Sequence, residues 1–122
     1  MTRALVAAAA AWVCPGLGHL MLGRPAKALY FGGLVLGVFG LGLLLGEGAA
    51  VSTERFPLHW YGQMFAGVPA LLADTLLGSL PTGHTIDRLE LGVVFTTVAG
   101  IMNVVVMVDA YETVRRAAPE GE

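Results

Sequence analysis

The stretch that decides the fold is Ala28–Gly46, ALYFGGLVLGVFGLGLLLG, which has 19 residues and no charged side chain. At about 1.5 Å per residue a helix of this length covers roughly 28 Å, close to the ~30 Å hydrocarbon core of a bilayer. A second uncharged stretch, LGVVFTTVAGIMNVVVMV, covers Leu91–Val108 and is closed by Asp109. The two stretches predict transmembrane helices at 28–46 and 89–112.

The composition of the whole chain favours a membrane protein over a soluble one. Of the 122 residues, 56% are hydrophobic and 13% are charged, and the charged share is about half that of an ordinary soluble domain. A soluble protein with so few charges would expose large apolar patches and aggregate. The net charge of −2 gives no indication of a nucleic-acid partner. We expect one membrane domain at 1–118 and a short polar tail at 119–122.

Two further apolar stretches are interrupted. The first, 4–22, contains Pro15-Gly16-Leu17-Gly18, and it predicts a broken N-terminal helix because proline removes a backbone donor and glycine weakens a helix. The lack of a small-x-small cleavage site predicts that this segment is retained and is not a cleaved signal peptide. The second, 60–80, is centred on Ala66-Gly67-Val68-Pro69 and predicts either a helix with a kink, re-entrant or interfacial, or a re-entrant hairpin. The predicted fold class is therefore an all-α integral membrane protein, a small helical bundle.

The positions of the cationic residues predict the orientation. Arg24 and Lys27 precede the first predicted span, and Arg115 and Arg116 follow the second. Cytoplasmic segments of membrane proteins carry an excess of Lys and Arg, so the loop at 23–27 and the C-terminus are both expected in the cytoplasm. Two crossings satisfy this, and the 60–80 segment is then expected not to cross fully.

Two motifs carry a family resemblance. Residues 11–29, AWVCPGLGHLMLGRPAKAL, resemble the PGLGHxYLGR signature of small, uncharacterised bacterial membrane proteins that are similar to the two-transmembrane-helix domain proteins. Residues 100–111, GIMNVVVMVDAY, resemble the GxxNxxxxxDAY ending of the same group, although Met21 stands where an aromatic residue is common. The resemblance implies a protein of the bacterial inner (cytoplasmic) membrane and implies no biochemical activity.

The glycine-rich turn around Arg24 is a candidate contact site for a lipid headgroup, because exposed amides and a guanidinium both suit anions. The alternative is a structural turn whose glycines permit positive φ angles and whose Arg24 extends toward the headgroups. The residues concerned are Gly16, Gly18, His19, Gly23, Arg24 and Lys27.

Glycines in the first span predict a helix-packing face, because small residues let a second helix approach closely. Gly33, Gly37 and Gly40 fall at intervals of four and three, and Gly42 and Gly46 repeat the spacing. The partner is either the second span of the same chain or another membrane protein. A matching small surface on the second span is offered by Thr96, Thr97 and Gly100.

Two polar residues of the second span are candidate functional residues, because a polar group at bilayer depth needs a partner. Asn103 is expected to hydrogen-bond to a backbone carbonyl of the 28–46 helix. Asp109 is expected to form an ion pair with Arg24 or Lys27, and a proton or cation site at Asp109 is the alternative.

No residue pattern indicates catalysis, a cofactor or a metal site. The three histidines are scattered without a pair at i,i+4 spacing, and the chain has one cysteine. We therefore expect a non-enzymatic scaffold or accessory subunit whose partners are the lipid bilayer and other membrane subunits or a second copy. The alternative is a small oligomeric channel, transporter or lipid-handling protein that uses the 60–80 segment with Asn103 and Asp109.

Overall fold

The computed structural model describes residues 1–81 and 83–117, and every regular element in them is a helix. The first half consists of α1 (Thr2–Val13), α2 (Leu17–Met21) and α3 (Pro25–Leu45). The second half consists of α4 (Pro57–Gln63), a 3-10 turn (Met64–Ala66), α5 (Val68–Ala73), a π-helical turn (Asp74–Gly78) and α6 (Leu89–Ala117). The predicted all-α fold class is confirmed, and the predicted polar tail at 119–122 lies outside the described residues.

The helices α3 and α6 are long and apolar enough to cross a membrane, each with a mean hydropathy of 2.2 over its most apolar 18 residues. They are antiparallel, because Lys27 of α3 contacts Asp109 near the end of α6 and Gly42 contacts Gly92 near its beginning. We call these two ends of the bundle the Asp109 end and the Gly92 end. The predicted spans at 28–46 and 89–112 are confirmed as helices, and α6 continues five residues further than predicted.

The N-terminal apolar stretch forms a first hairpin, α1 followed by α2. The break falls at the predicted position, where Gly16 has a φ of +91°, a conformation that glycine adopts at little cost. Beyond it α2 folds back on α1, because a β-carbon on Gly18 would overlap the carbonyl of Ala7. With 12 residues, α1 is about 18 Å long, roughly half the length needed to cross a bilayer.

Residues 57–78 form a second hairpin that begins and ends at the Gly92 end. It breaks at Gly67, with φ +81°, inside the predicted centre. On the return the carboxylate of Asp74 accepts a hydrogen bond from the backbone N–H of Thr53 at 2.8 Å, and Gly78 packs against Val51. The 60–80 segment is thus a hairpin of four short helical pieces that starts at Pro57, the second of the two predicted forms, and a single kinked helix does not form.

The helix α6 lies at the centre of the bundle and packs against α1, α3 and α4. Small residues recur along its buried face, so the neighbouring helices approach it closely. A β-carbon on Gly100, for example, would overlap the carbonyl of Gly62 in α4. The buried residues of this face are Gly92, Val93, Thr96, Ala99, Gly100, Asn103, Val106 and Ala110. Gly100 is a packing residue as predicted, but it packs against α4 and not against the first span, which was its predicted neighbour.

The glycines predicted to form a packing face on the first span divide into two groups. Gly42 and Gly46 pack within the chain, against Gly92 of α6 and, for Gly42, also against Thr96. An added β-carbon on Gly33, Gly37 or Gly40 would meet no atom within 4 Å, so for these three the intrachain form of the prediction is wrong. The buried side of α3 is rotated about the helix axis by about one residue, or 100°, from the side that carries Gly33, Gly37 and Gly40. It carries Gly32, Val35, Phe39 and Gly42.

Candidate functional site: the polar face of α6

Three charged or ionisable side chains meet at the Asp109 end. The Nε2 of His19 and the Nζ of Lys27 lie 2.6 Å and 2.7 Å from the same carboxylate oxygen, Oδ2 of Asp109. His19 is fully buried, whereas the side chains of Lys27 and Asp109 are each 36% exposed. The predicted ion pair between Lys27 and Asp109 is confirmed. The sequence reasoning missed the contribution of His19, whose only signal was its place in the PGLGH motif.

The geometry fixes the hydrogen-bonding roles of His19. A carboxylate accepts hydrogen bonds, so Nε2 carries the proton that it donates to Asp109. In the neutral ring the second nitrogen, Nδ1, is then an acceptor, and it is buried without a partner. The ring packs against Phe31 with centroids 5.2 Å apart, so α2, α3 and α6 are joined at this point.

The glycine-rich turn separates into an inner and an outer part. Gly16 and Gly18 are buried in helix contacts, and a β-carbon on Gly16 would lie 2.5 Å from the carbonyl oxygen of Ala28. Gly23, with φ +72°, and Arg24 are exposed. Arg24 lines an open pocket of about 270 Å³ with Lys27, Asp109, Glu112 and Arg116. Within this pocket Arg116 donates a hydrogen bond to Glu112 at 2.6 Å.

Asn103 joins the two hairpins. Its Nδ2 donates to the carbonyl oxygens of Ala11, at 3.1 Å, and Phe65, at 2.7 Å, and the side chain is fully buried. The predicted partner in the 28–46 helix is wrong. The last carbonyls of a helix have no donor within that helix, and Asn103 supplies one to the ends of α1 and of the 3-10 turn, whereas α3 passes by with its carbonyls already bonded.

A second buried amide lies closer to the Gly92 end. Gln63 donates to the carbonyl oxygen of Ala50 at 2.9 Å and to the hydroxyl of Thr96 at 2.8 Å. The hydroxyl of Thr96 in turn donates to the carbonyl oxygen of Gly92 at 2.9 Å. The sequence reasoning did not select Gln63 as a site residue, although a single amide in an apolar stretch was an available signal.

The loop at 47–56 fixes the exit of the second hairpin. Arg55 donates to the carbonyl oxygens of Gly78, at 2.7 Å, and Leu80, and the hydroxyl of Ser52 donates to Gly78 at 2.8 Å. These carbonyls close the π-helical turn and have no helical donor. This arrangement was not predicted, because it depends on two loops that are distant in sequence.

The family is identified by comparison with known proteins. A family model described as "Family of unknown function (DUF6677)" matches residues 6–121, nearly the whole chain. The chain belongs to this family. The DUF6677 match includes the first hairpin from residue 6 onward, the whole of the second hairpin and all of the polar residues described above. No curated protein and no solved structure matches the chain. The expected membership of an uncharacterised family is confirmed.

The polar groups of α6 in this DUF6677 chain bond mostly to backbone carbonyls and to one another. The hydroxyls of Thr96 and Thr97 donate to backbone carbonyls of their own helix, so neither is paired with a base as a nucleophile would be. Among residues 1–81 and 83–117, no group of three or more His, Cys, Asp or Glu side chains is placed to hold a metal ion. The available chemistry is hydrogen bonding along α6 and charge at the Asp109 end.

Proposed function

We propose that the chain is an integral membrane protein without enzymatic activity that acts as a scaffold or accessory subunit through helix packing. The core helix of a soluble protein is mostly buried, whereas only 22% of the apolar window of α3 and 39% of that of α6 are buried. Large apolar side chains such as Leu29, Leu44 and Val105 are more than half exposed. Lipid is the solvent that accepts such a surface.

The charge distribution supports an orientation with the Asp109 end in the cytoplasm. Arg24 and Lys27 lie at this end beside α6, whose last turn carries Arg115 and Arg116. By the positive-inside rule this end faces the cytoplasm and the C-terminus lies there. The second hairpin then enters from the opposite side as a re-entrant segment. The bacterial cytoplasmic membrane, and kinship with the two-transmembrane-helix domain proteins, follow from the motif resemblance and belong to the proposal.

The observation that carries the proposal is the outward glycine face of α3, formed by Gly33, Gly37 and Gly40. A β-carbon added to any of these glycines would meet no atom of residues 1–81 and 83–117 within 4 Å, yet each glycine weakens a helix by about 1 kcal/mol relative to alanine. The exposed side chains of Tyr30 and Leu44 lie at the two ends of this face. A second transmembrane helix seated there gains the close backbone approach that small residues permit. The occupant is a helix of a second copy or of a larger complex.

The exposed pocket at the Asp109 end supports contact with lipid headgroups. It presents the cations Arg24, Lys27 and Arg116 at the level where, in the proposed orientation, phosphates of the inner leaflet lie. In this arrangement the outer part of the glycine-rich turn meets the headgroups, and its inner part holds the helices together.

The test is the assembly state in mild detergent. We expect the wild-type chain to be extracted from native membranes as a complex of fixed stoichiometry, and Gly37→Leu to be extracted as the free chain because its side chain blocks the face. Gly83→Leu is the matched control: it adds the same side chain at an exposed loop position with no atom within 4 Å. A wild-type chain that is already monomeric, or a Gly37→Leu chain that assembles normally, contradicts the proposal.

A second candidate function is a small channel or carrier that uses the 57–78 hairpin with Asn103 and Asp109. The observation that favours it is that Asn103 bonds both hairpins at once inside the bundle. Broken helices of this kind are found in membrane proteins where they line a path or a binding site.

A further inference from the structure

The two halves of the chain repeat one another in inverted orientation. In the first half, α1 runs into the bundle from the Asp109 end, the chain breaks at Gly16, α2 returns, and α3 runs the full length. In the second half, α4 enters from the Gly92 end, the chain breaks at Gly67, α5 and the π-helical turn return, and α6 runs the full length. Because α3 and α6 are antiparallel, the second half is the first turned over. Transporters built this way bind substrate where the broken helices meet.

The tips of the two hairpins meet inside the bundle. The backbone of Gly67 lies directly against the carbonyl of Trp12, and the indole Nε1 of Trp12 donates to the carbonyl oxygen of Met64 at 3.0 Å. Asn103 binds both tips from α6. It stands 12 residues after Leu91 and six before Asp109, which is about 18 Å from one end of the apolar stretch and about 9 Å from the carboxylate. The junction is closed and lies well inside the predicted hydrocarbon layer.

Three buried acceptor atoms without partners lie along this face of α6. They are Oε1 of Gln63, Oδ1 of Asn103 and, in the neutral ring, Nδ1 of His19. The amide orientations are fixed, because the nitrogens of Gln63 and Asn103 face backbone carbonyls, which can only accept. Gln63 is bonded to Thr96, Asn103 is itself part of α6, and His19 is bonded to Asp109. The three acceptors therefore recur about every 10 Å along the helix. Buried polar atoms without partners are uncommon, and a bound water or ion is one of the explanations for them.

We propose that the buried face of α6 is a path for a small hydrogen-bond donor, water or an ammonium-type cation, and that the meeting of the two hairpin tips at Asn103 is its closed midpoint. The proposal rests on the channel or carrier candidate and not on the glycine face, since each chain holds its own junction. All three unpartnered atoms accept hydrogen bonds, so a donor satisfies each in turn and an anion satisfies none. An alkali cation needs several oxygens at once, which single acceptors about 10 Å apart do not provide.

The ends of this face suit the same solutes. At the Asp109 end the carboxylate of Asp109 is part exposed and is bonded to His19, the last of the three acceptors. At the Gly92 end Asp74 is partly buried beside the returning hairpin. A donor entering from the Asp109 end therefore meets a carboxylate before it meets the amide oxygens.

The first experiment compares solutes on the wild-type protein and needs no variant. The purified full-length chain is placed in liposomes, water flux is measured by light scattering after an osmotic step, and methylammonium flux by current on a solid-supported membrane. Potassium and chloride are the controls, since neither donates a hydrogen bond. We expect water or methylammonium to cross faster than in protein-free liposomes and the controls not to. Passage of water alone identifies a neutral path, and passage of methylammonium identifies a cation path.

The second experiment removes the central acceptor. Asn103→Leu is expected to lower the donor flux about tenfold, equivalent to ~1.4 kcal/mol, while Val105→Leu, an exposed position on the same helix, leaves it unchanged. Circular dichroism shows whether each variant is folded, and if Asn103→Leu is not, the comparison of solutes decides alone. No donor flux from the wild type overturns the channel function itself. Equal passage of potassium or chloride, or undiminished flux in a folded Asn103→Leu, leaves a channel and overturns the acceptor path.

Discussion

Replacing two glycines of α3 with alanine, one at a time, distinguishes the effect of packing within the chain from the effect of helix propensity. An added β-carbon on Gly42 would lie 2.7 Å from Cγ2 of Thr96 and 2.9 Å from the carbonyl oxygen of Gly92, whereas on Gly37 it would meet nothing within 4 Å. Both substitutions remove the flexibility of glycine from a helix interior, which is worth about 1 kcal/mol. The two variants therefore differ only in the contacts of one methyl group.

The magnitudes follow from those contacts. Overpacking costs typically about 1–3 kcal/mol, and the upper half of that range applies at Gly42 because two of its close neighbours are backbone atoms that cannot rotate away. Subtracting the gain in helix propensity, we expect Gly42→Ala to lose ~1–2 kcal/mol of unfolding free energy. Gly37→Ala is expected to gain up to ~1 kcal/mol in the unassembled chain. The pair should differ by about 2–3 kcal/mol.

The assay is reversible unfolding in mixed detergent micelles followed by helix content, at a protein concentration low enough to exclude assembly. The wild-type chain is the reference for both variants. Equal stability of the two variants would refute the assignment of Gly42 to the α3–α6 contact and of Gly37 to the outer surface. A loss of stability in Gly37→Ala alone would reverse the assignment.

Two further predictions concern the hairpin junction and the Asp109 end. Gly67→Ala is expected to lower the free energy of unfolding by at least ~2 kcal/mol, because Gly67 has a φ of +81° that side chains avoid and its β-carbon would overlap the carbonyl of Trp12. Thermal unfolding in detergent measures this loss, and a variant that unfolds at the wild-type temperature contradicts the tight junction. Asp109→Ala leaves buried His19 and Lys27 without their acceptor and is expected to unfold about 1–2 kcal/mol more easily than Asp109→Asn, which keeps an oxygen there. The same assay compares the two, and equal stability shows that the hydrogen bonds contribute nothing.

The long helices and the breaks between them could be predicted from the sequence, because each depends on local properties. An uncharged stretch of 18 or 19 residues has the length of a bilayer whatever surrounds it. The breaks at Pro15-Gly16 and at Gly67 occur at residues that disfavour a helix. The pairing of Lys27 with Asp109 followed from placing both charged ends on one side of the membrane.

The rotation of α3 about its axis could not be predicted in the same way. A helix that faces lipid on one side and protein on the other is apolar all round, so the pattern does not show which side is buried. Gly32 and Gly33 are neighbours in sequence, yet one packs against Pro15 and the other contacts nothing. The sequence offers two faces of α3 that carry small residues, and only the contacts with the neighbouring helix determine which face is buried.

The partner of Asn103 was beyond reach for a related reason. The sequence shows that a buried amide needs a partner, but which carbonyl is unoccupied depends on where other helices end. Here α1 and the 3-10 turn end beside the amide. The break residues mark those ends in the sequence, and no local signal brings them together.

The position of Asn103 in the sequence also sets the order in which the chain matures. Its two hydrogen-bond partners precede it by 92 and 38 residues, so both hairpins are synthesised long before the amide that binds them. Until α6 is inserted, the end of α1 has carbonyls that lipid cannot satisfy. In the proposed membrane protein we therefore expect the first hairpin to reach its final depth only after α6 has been made. A chain that ends before α6 is expected to leave these carbonyls without a donor.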